Sequence, residues 1–229
     1  MLKNDLIQKS PAVIIMGSEN LHQGRFGAVL SRAGVGKTQF LVQMAISRLL
    51  EGESTVHISL SDPMDKINVR YKEAYTSLID SIGYVDPQKA NRLWEDIAPC
   101  KTGIAYNEAT FTSDKLRDYL KTLKKGDLKV PAMVIVDGLD FDNDLSGILV
   151  ELKAISEDFS TAIWFSMQSH RDEPLSSEGY PKQLESVKDR FDKALFLQPR
   201  DEKIEALILK DGDRADQRFI LEPATMMTR

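Results

Sequence analysis

Eight residues constrain this chain more than any others: Ser31-Arg32-Ala33-Gly34-Val35-Gly36-Lys37-Thr38. They match the phosphate-loop pattern G-x-x-x-x-G-K-[ST] at every fixed position but the first, where serine stands in place of glycine. Each fixed residue type has a physical task. Glycines let the backbone bend so that successive N–H groups face a phosphate. Lys37 offers a positive charge to the outer phosphates, and Thr38 offers a hydroxyl to Mg2+. Thr38 also opens a helix, whose N-terminus favours an anion. If the first position demanded a positive φ, Ser31 would cost about 1 kcal/mol there.

The flanks are what such a loop requires. Phe26-Gly27-Ala28-Val29-Leu30 is a short apolar run suited to a buried strand. Beyond the loop, Phe40, Leu41, Met44, Ala45, Ser47 and Leu49 recur at helical spacing, with Gln43 and Arg48 between them, and Glu51-Gly52 supplies a stop signal. Strand, glycine loop and helix make one nucleotide-binding unit. Its binding residues run from Ser31 through Arg32, Ala33, Gly34, Val35, Gly36, Lys37 and Thr38 to Gln39.

The chain has 229 residues, 42% hydrophobic and 28% charged, enough for one α/β domain with a sizeable core. Its net charge of -5 does not favour binding nucleic acid through counterion release. Cys100 is the lone cysteine, so neither an intrachain disulfide nor a thiolate zinc site can form. The apolar run Ala12–Met16 is too short for a signal-peptide core, and nothing approaches a membrane span. The expected location is the cytoplasm, with no membrane partner.

Residues 1–25 read as a lead-in segment and residues 26–222 as a core, together a single domain over 1–229. Further strands are expected at Thr55–Leu60, Ile104–Tyr106, Pro131–Asp137 and Thr161–Met167. Helices are expected over Asp65–Ser81, Asp86–Ile97, from the Thr112-Ser113-Asp114 cap onward, and over Asp144–Asp158. The last stretch differs: Ala194–Leu197, Ile204–Lys210 and Arg218–Leu221 read as strands separated by turns, with Asp211-Gly212 as a hairpin signal. Strands alternating with helices, then a run of strands, predict a mainly parallel sheet flanked by helices with antiparallel additions at its C-terminal end.

In open α/β sheets ligands bind beyond the carboxyl ends of the strands, so the residues just after each strand are the candidates. The strand Ala132–Val136 ends in Asp137, whose carboxylate suits the Mg2+ shell beside Thr38; the alternative is a turn-capping acid. Asp140, Asp142 and Asp144 read as solvent-facing or capping. The second strand ends in Ser61-Asp62. Asp62 either polarises an attacking water or caps the helix entered through Pro63. Gln168 either bonds the γ-phosphate or is a polar turn residue. With three histidines far apart, a histidine metal site has no support. The segment from His170 to Lys182 mixes Arg171 and Lys182 with Asp172, Glu173 and Glu178, which makes no basic funnel.

In their order, these features resemble the RecA/KaiC-like ATPases, which include RadA- and DnaB-type motors, over roughly residues 20 to 222. The resemblance implies a three-layer RecA-like P-loop core that takes Mg2+ and ATP. It implies a homo-oligomer with the nucleotide between subunits. It gives Lys37 and Thr38 the phosphate and magnesium roles, Asp137 the second magnesium role and Gln168 the γ-phosphate sensor role. Lys210 takes the place of the basic finger that reaches a neighbouring subunit's nucleotide, with Arg214 as the second candidate. Two departures bear on rate. The family usually has glutamate where this chain has Ser61-Asp62, and a misplacement of about 1 Å can cost on the order of a hundredfold. The finger often shows lysine and arginine two apart, whereas Lys210 is followed by Asp211-Gly212. The implied function is a slow ATPase acting as a regulatory or assembly switch. Two others stay open: a recombination or repair ATPase on single-stranded DNA, and a non-hydrolysing nucleotide-dependent interaction module.

Overall fold

Strands that read as continuous apolar runs need cover on both faces. The computed structural model of the chain, which describes residues 2–17, 25–171 and 173–229, has that arrangement. One sheet contains β1 (Phe26–Ser31), β2 (Thr55–Ser59), β3 (Lys101–Ala105), β4 (Met133–Asp137), β5 (Ala162–Gln168), β6 (Lys193–Arg200), β7 (Lys203–Lys210) and β8 (Arg218–Leu221). Their order across the sheet is β3-β2-β4-β5-β1-β6-β7-β8. From β3 to β6 the strands are parallel; β7 and β8 add on antiparallel.

Helices α1 (Leu2–Lys9), α2 (Pro11–Met16), α3 (Lys37–Leu50), α4 (Met64–Asp80) and α5 (Pro87–Ile97) share one core with one sheet face. Helices α6 (Ser113–Lys125), α7 (Ser146–Asp158) and α8 (Lys182–Glu185) share the other core with the opposite face. Alternation along β4 divides its side chains: Met133 and Ile135 enter the first core, Val134 and Val136 the second.

Residues 2–17 of the lead-in segment do more than lead in. Leu6, Ala12 and Ile15 are fully buried in the first core. The remainder of that segment, residues 18–24, lies outside the described residues. Because α1 and α2 cover α3, that helix has no solvent face from Phe40 to Leu50. Even its polar residues are inside. Ser47 Oγ meets Ser10 Oγ at 2.5 Å, Gln43 Nε2 donates to the Thr225 carbonyl at 3.3 Å, and the buried Arg48 pairs with Glu51. The C-terminal turn also belongs to the core beyond residue 222, since Met226 is fully buried and Thr228 bridges to Leu221.

Two local expectations shift. The third strand is Lys101–Ala105 rather than Ile104–Tyr106, because pairing along β2 from Thr55↔Lys101 to Ser59↔Ala105 sets its span and its apolar content does not. The tight hairpin is Asp201-Glu202, between Arg200 and Lys203, with Asp201 at φ +54°. Asp211-Gly212 instead opens the longer β7–β8 connection, which holds a 3-10 turn at Gly212–Arg214. Trp164 is core, as its strand pattern suggests, while Trp94 is only partly buried, against Tyr75 with Lys72 over its ring.

Candidate functional site

β1 delivers the glycine loop to the carboxyl edge of the sheet, between β5 and β6. Ser31 is its last residue, buried and outside the left-handed region, with its hydroxyl donating to the Arg32 carbonyl at 2.8 Å. Serine therefore carries no φ strain at the first motif position, and the cost considered for it does not arise. The left-handed residues are Gly34 at φ +76° and Gly36 at φ +118°. Lys37 Nζ donates to the carbonyls of Ser31 and Arg32, both at 3.1 Å, and so closes the loop on itself. Burial lowers the Lys37 pKa, with the Asp137 charge opposing. No side chain caps α3 at Gly36, so its first-turn N–H groups remain available to an anion.

Asp137 ends β4, nearly buried, and accepts a hydrogen bond from Thr38 Oγ1 at 2.8 Å. Burial pushes its carboxyl up. His57, Ser166 and Thr38 outweigh that and hold it below the ordinary carboxylate value, so it is ionised at neutral pH. Gly138, at φ +97°, follows at a close crossing: a Cβ there would lie 3.0 Å from Ser61 Oγ. Its N–H donates to Ser166 Oγ at 2.9 Å. Gln168 ends β5 beside Ser31 in register. Lys37, Thr38, Ser61, Asp137, Ser166 and Gln168 line one cavity of about 470 Å3, together with Ala33, Gly34 and residues 138–142.

These residues suit Mg2+ and a phosphate chain. A hydroxyl and an ionised carboxylate in mutual contact are hard oxygen donors, and Mg2+ normally completes its shell with waters and phosphates rather than with further protein groups. Among the described residues, no group of three or more His, Cys, Asp or Glu could hold a metal by itself.

Of the other predicted residues, Arg32, Gln39, Asp62, Lys210 and Arg214 do not line this cavity, whereas Asp140 and Asp142 do. The Asp62 carboxylate is held by Lys66 at 2.7 Å and Arg70 at 3.2 Å, both from α4. It makes no side-chain cap at the start of α4; the residue from this strand end that lines the cavity is Ser61. Arg32 lies on the far side of the loop with Phe196 and Gln198, Val35 packs on the first core, and Gln39 faces Arg70 and Pro223. Asp140 caps its own turn through the Asp142 N–H, Asp144 accepts from the Ser146 N–H, and Asp142 pairs with His170 at 2.6 Å. Lys210 pairs in register with Ala194, itself beside Ala28, near the end of the sheet away from the loop, and donates to the Lys188 carbonyl at 2.8 Å. Arg214 donates to the Ile14 carbonyl at 3.3 Å.

Three neighbours of the site carried no sequence signal: Ser166 inside a strand, His57 inside another, and Met226 near the C-terminus. Met226 reaches the loop itself, for a Cβ on Gly36 would lie 2.7 Å from its Cε. Gly34→Ala and Gly36→Ala should therefore differ. Left-handed backbone costs each about 1–2 kcal/mol, but Gly34 has open space around it, whereas Gly36→Ala must also displace Met226. Denaturant unfolding should show the larger loss for Gly36→Ala, with partial rescue by Met226→Ala. Equal losses would mean that the Met226 contact places no demand on the loop.

No known protein family matches the sequence, and no curated protein matches it either. Solved structures do. One, described as an ATPase domain, superposes with a TM-score of 0.66 at 14% identity, over 90% of this chain and 86% of that one. A DnaB-like replicative helicase, described with its interactions with primase, gives a TM-score of 0.62 at 15% identity, over 88% of this chain and 56% of that longer one. Together with the sheet order and its helical cover, the likeness shows that the chain has the fold of a RecA-like P-loop ATPase domain.

Proposed function

We propose that this chain binds ATP with Mg2+ in the cavity at the glycine loop and acts as a slow ATPase that serves as a regulatory or assembly switch. The observation that carries the reading is the convergence of Lys37, the Thr38–Asp137 pair and Gln168 on one cavity in which the end of β2 presents Ser61 instead of an acid. Bound Mg2+ would neutralise phosphate charge and polarise the terminal phosphoryl group. The chain's own part is binding and orientation. The uncapped start of α3 and the glycine loop offer N–H groups to the phosphates. Lys37 supplies a counter-charge close at hand, since its present partners are two backbone carbonyls it can exchange for phosphate oxygens. Thr38 and Asp137 hold the metal side, and Gln168 reaches the outer phosphate.

Lys37→Ala should weaken ATP binding by about 10- to 150-fold, the equivalent of the ~1.5–3 kcal/mol typical of hydrogen bonds to charged groups. Titration calorimetry on a variant with an unaltered unfolding midpoint measures it, and unchanged affinity would refute the site.

The geometry after β2 supports the slow part of this reading. A serine hydroxyl is a poor acceptor for a water proton, and Asp62 is committed to Lys66 and Arg70. Asp62→Asn should leave single-turnover hydrolysis within about twofold, whereas Ser61→Glu should raise it toward the lower end of the 10²–10⁴ that a positioned general base contributes. A large fall in Asp62→Asn would return the base role to Asp62.

The assembly side of the reading rests on Lys210. Lys210 stands toward the end of the sheet away from its own loop, a position that suits a reach toward a neighbouring copy's nucleotide better than toward its own. Light scattering should then report a larger particle with MgATP than without, and Lys210→Ala should lower hydrolysis without changing ATP affinity in the isolated chain. One particle size in both conditions would remove the finger role. Single-stranded DNA as a partner is less well supported: Asp140, Asp142, Asp144 and Glu173 stand on the connections that follow β4 and β5.

A further inference from the structure

His57 sits fully buried in the middle of β2, and nothing in the phosphate chemistry calls for an imidazole there. Its two ring nitrogens face two polar groups. Nδ1 lies 3.2 Å from Tyr71 Oη on α4, and Nε2 lies 3.7 Å from Asp137 Oδ2. Nε2 has no hydrogen-bond partner among the described residues, so the Asp137 carboxylate is the group it addresses. An ionised carboxylate only accepts. The proton of a neutral imidazole therefore belongs on Nε2, which leaves Nδ1 to accept from the Tyr71 hydroxyl. The result is a directed series from Tyr71 O–H to His57 Nδ1, and from His57 Nε2–H to Asp137. At 3.7 Å the last step is an electrostatic contact, longer than a hydrogen bond. It acts on Oδ2, the same oxygen that accepts from Thr38.

We infer that His57, oriented by Tyr71, is a positioning residue for the magnesium-side carboxylate: it holds Asp137 aimed at Thr38 so that the pair can take up Mg2+ with ATP. The inference rests on the reading of Asp137 as the metal-side acid. Groups that orient a ligating carboxylate commonly govern metal affinity by about 10- to 100-fold. Asp137 Oδ2 is flanked by Thr38 Oγ1 at 2.8 Å and His57 Nε2 at 3.7 Å, so the imidazole bears on the oxygen that meets the metal-side hydroxyl. The series also ties the site to α4, the helix whose Lys66 and Arg70 hold Asp62.

The test compares ATP affinity in Mg2+ with ATP affinity in excess EDTA on the full chain. In His57→Leu the ratio of the two should fall by about 10- to 100-fold, or to one where the wild-type ratio is smaller, with the EDTA affinity within about twofold of wild type. His57→Gln keeps an N–H on a side chain of similar reach and should retain most of the ratio. Tyr71→Phe should shift it in the same direction by less, and it carries the test if His57→Leu does not fold. A wild-type ratio preserved in His57→Leu, or in Tyr71→Phe where that variant stands in, overturns the inference while leaving the site assignment intact. So does an equal loss with and without metal. Wild-type protein that binds ATP no better with Mg2+ than in EDTA overturns the magnesium role of Asp137 and this inference together. Retained metal-free binding in wild type with loss in Lys37→Ala would still support the glycine loop.

Discussion

The 2.8 Å hydrogen bond from Thr38 to Asp137 joins residues 99 apart in sequence, and the rest of the architecture makes it possible. Thr38 is placed by the first turn of α3, and Asp137 by the last residue of β4. For them to meet, β4 must lie near β1 with only β5 between, and Asp137 must fall close to the end of β1; by register it is level with Ser166 and Val29, two residues before Ser31. The sheet order β4-β5-β1 and the register of both pairs provide this. Asp137 can stay ionised in so closed a position because His57, Ser166 and Thr38 together outweigh the cost of its burial.

Helix α3 carries the loop, and both ends of the described chain hold α3. Ser10 bonds Ser47 from one side, the Thr225 carbonyl takes Gln43 from the other, and Met226 closes on Gly36. A short, isolated helix in water is marginal, so the eight residues of α1 and the six of α2 exist by packing on α3, as α3 is kept dry by them. Dense packing of this kind transmits strain instead of absorbing it. A displacement of the loop would be felt at the C-terminal turn and at α2 before it reached the far side of the sheet.

How much of this the sequence disclosed depends on how local each signal was. The glycine loop, its strand and its helix were legible because motif, periodicity and flanks agree within 25 residues. Asp137 was legible because an apolar strand that ends in an acid is a pattern of its own, and Gln168 for the similar reason that it ends a strand. The choice at Ser61-Asp62 was not legible. Both residues lie in the bend beyond β2, where strand alternation no longer says which side chain meets the cavity. Only the Gly138–Ser61 crossing and the two cations of α4 decide it. β3 was displaced in the reading because Lys101, Thr102 and Gly103 lack the apolar pattern and are strand by virtue of β2 alone. His57 was hidden for the opposite reason: one polar residue in a buried strand looks like an exception until its partners are in view.

The exchange of acid for hydroxyl at Ser61 changes what the remaining contacts can accomplish. On the proposed reading, amides of the glycine loop and the Lys37 ammonium would hold the triphosphate already before reaction, and whatever part of that binding is equal in ground and transition state lowers a dissociation constant without accelerating a chemical step. Acceleration needs a group whose interaction grows as the water attacks. On the proposed reading the chain keeps the uniform contacts and lacks the growing one, and Lys210 stands too far along the sheet to supply it to its own loop. On that reading the chain would hold its nucleotide for long periods, and its turnover would depend on a second copy. The lifetime of the bound state would then be set by assembly and not by chemistry, which is the property a switch requires and a motor avoids.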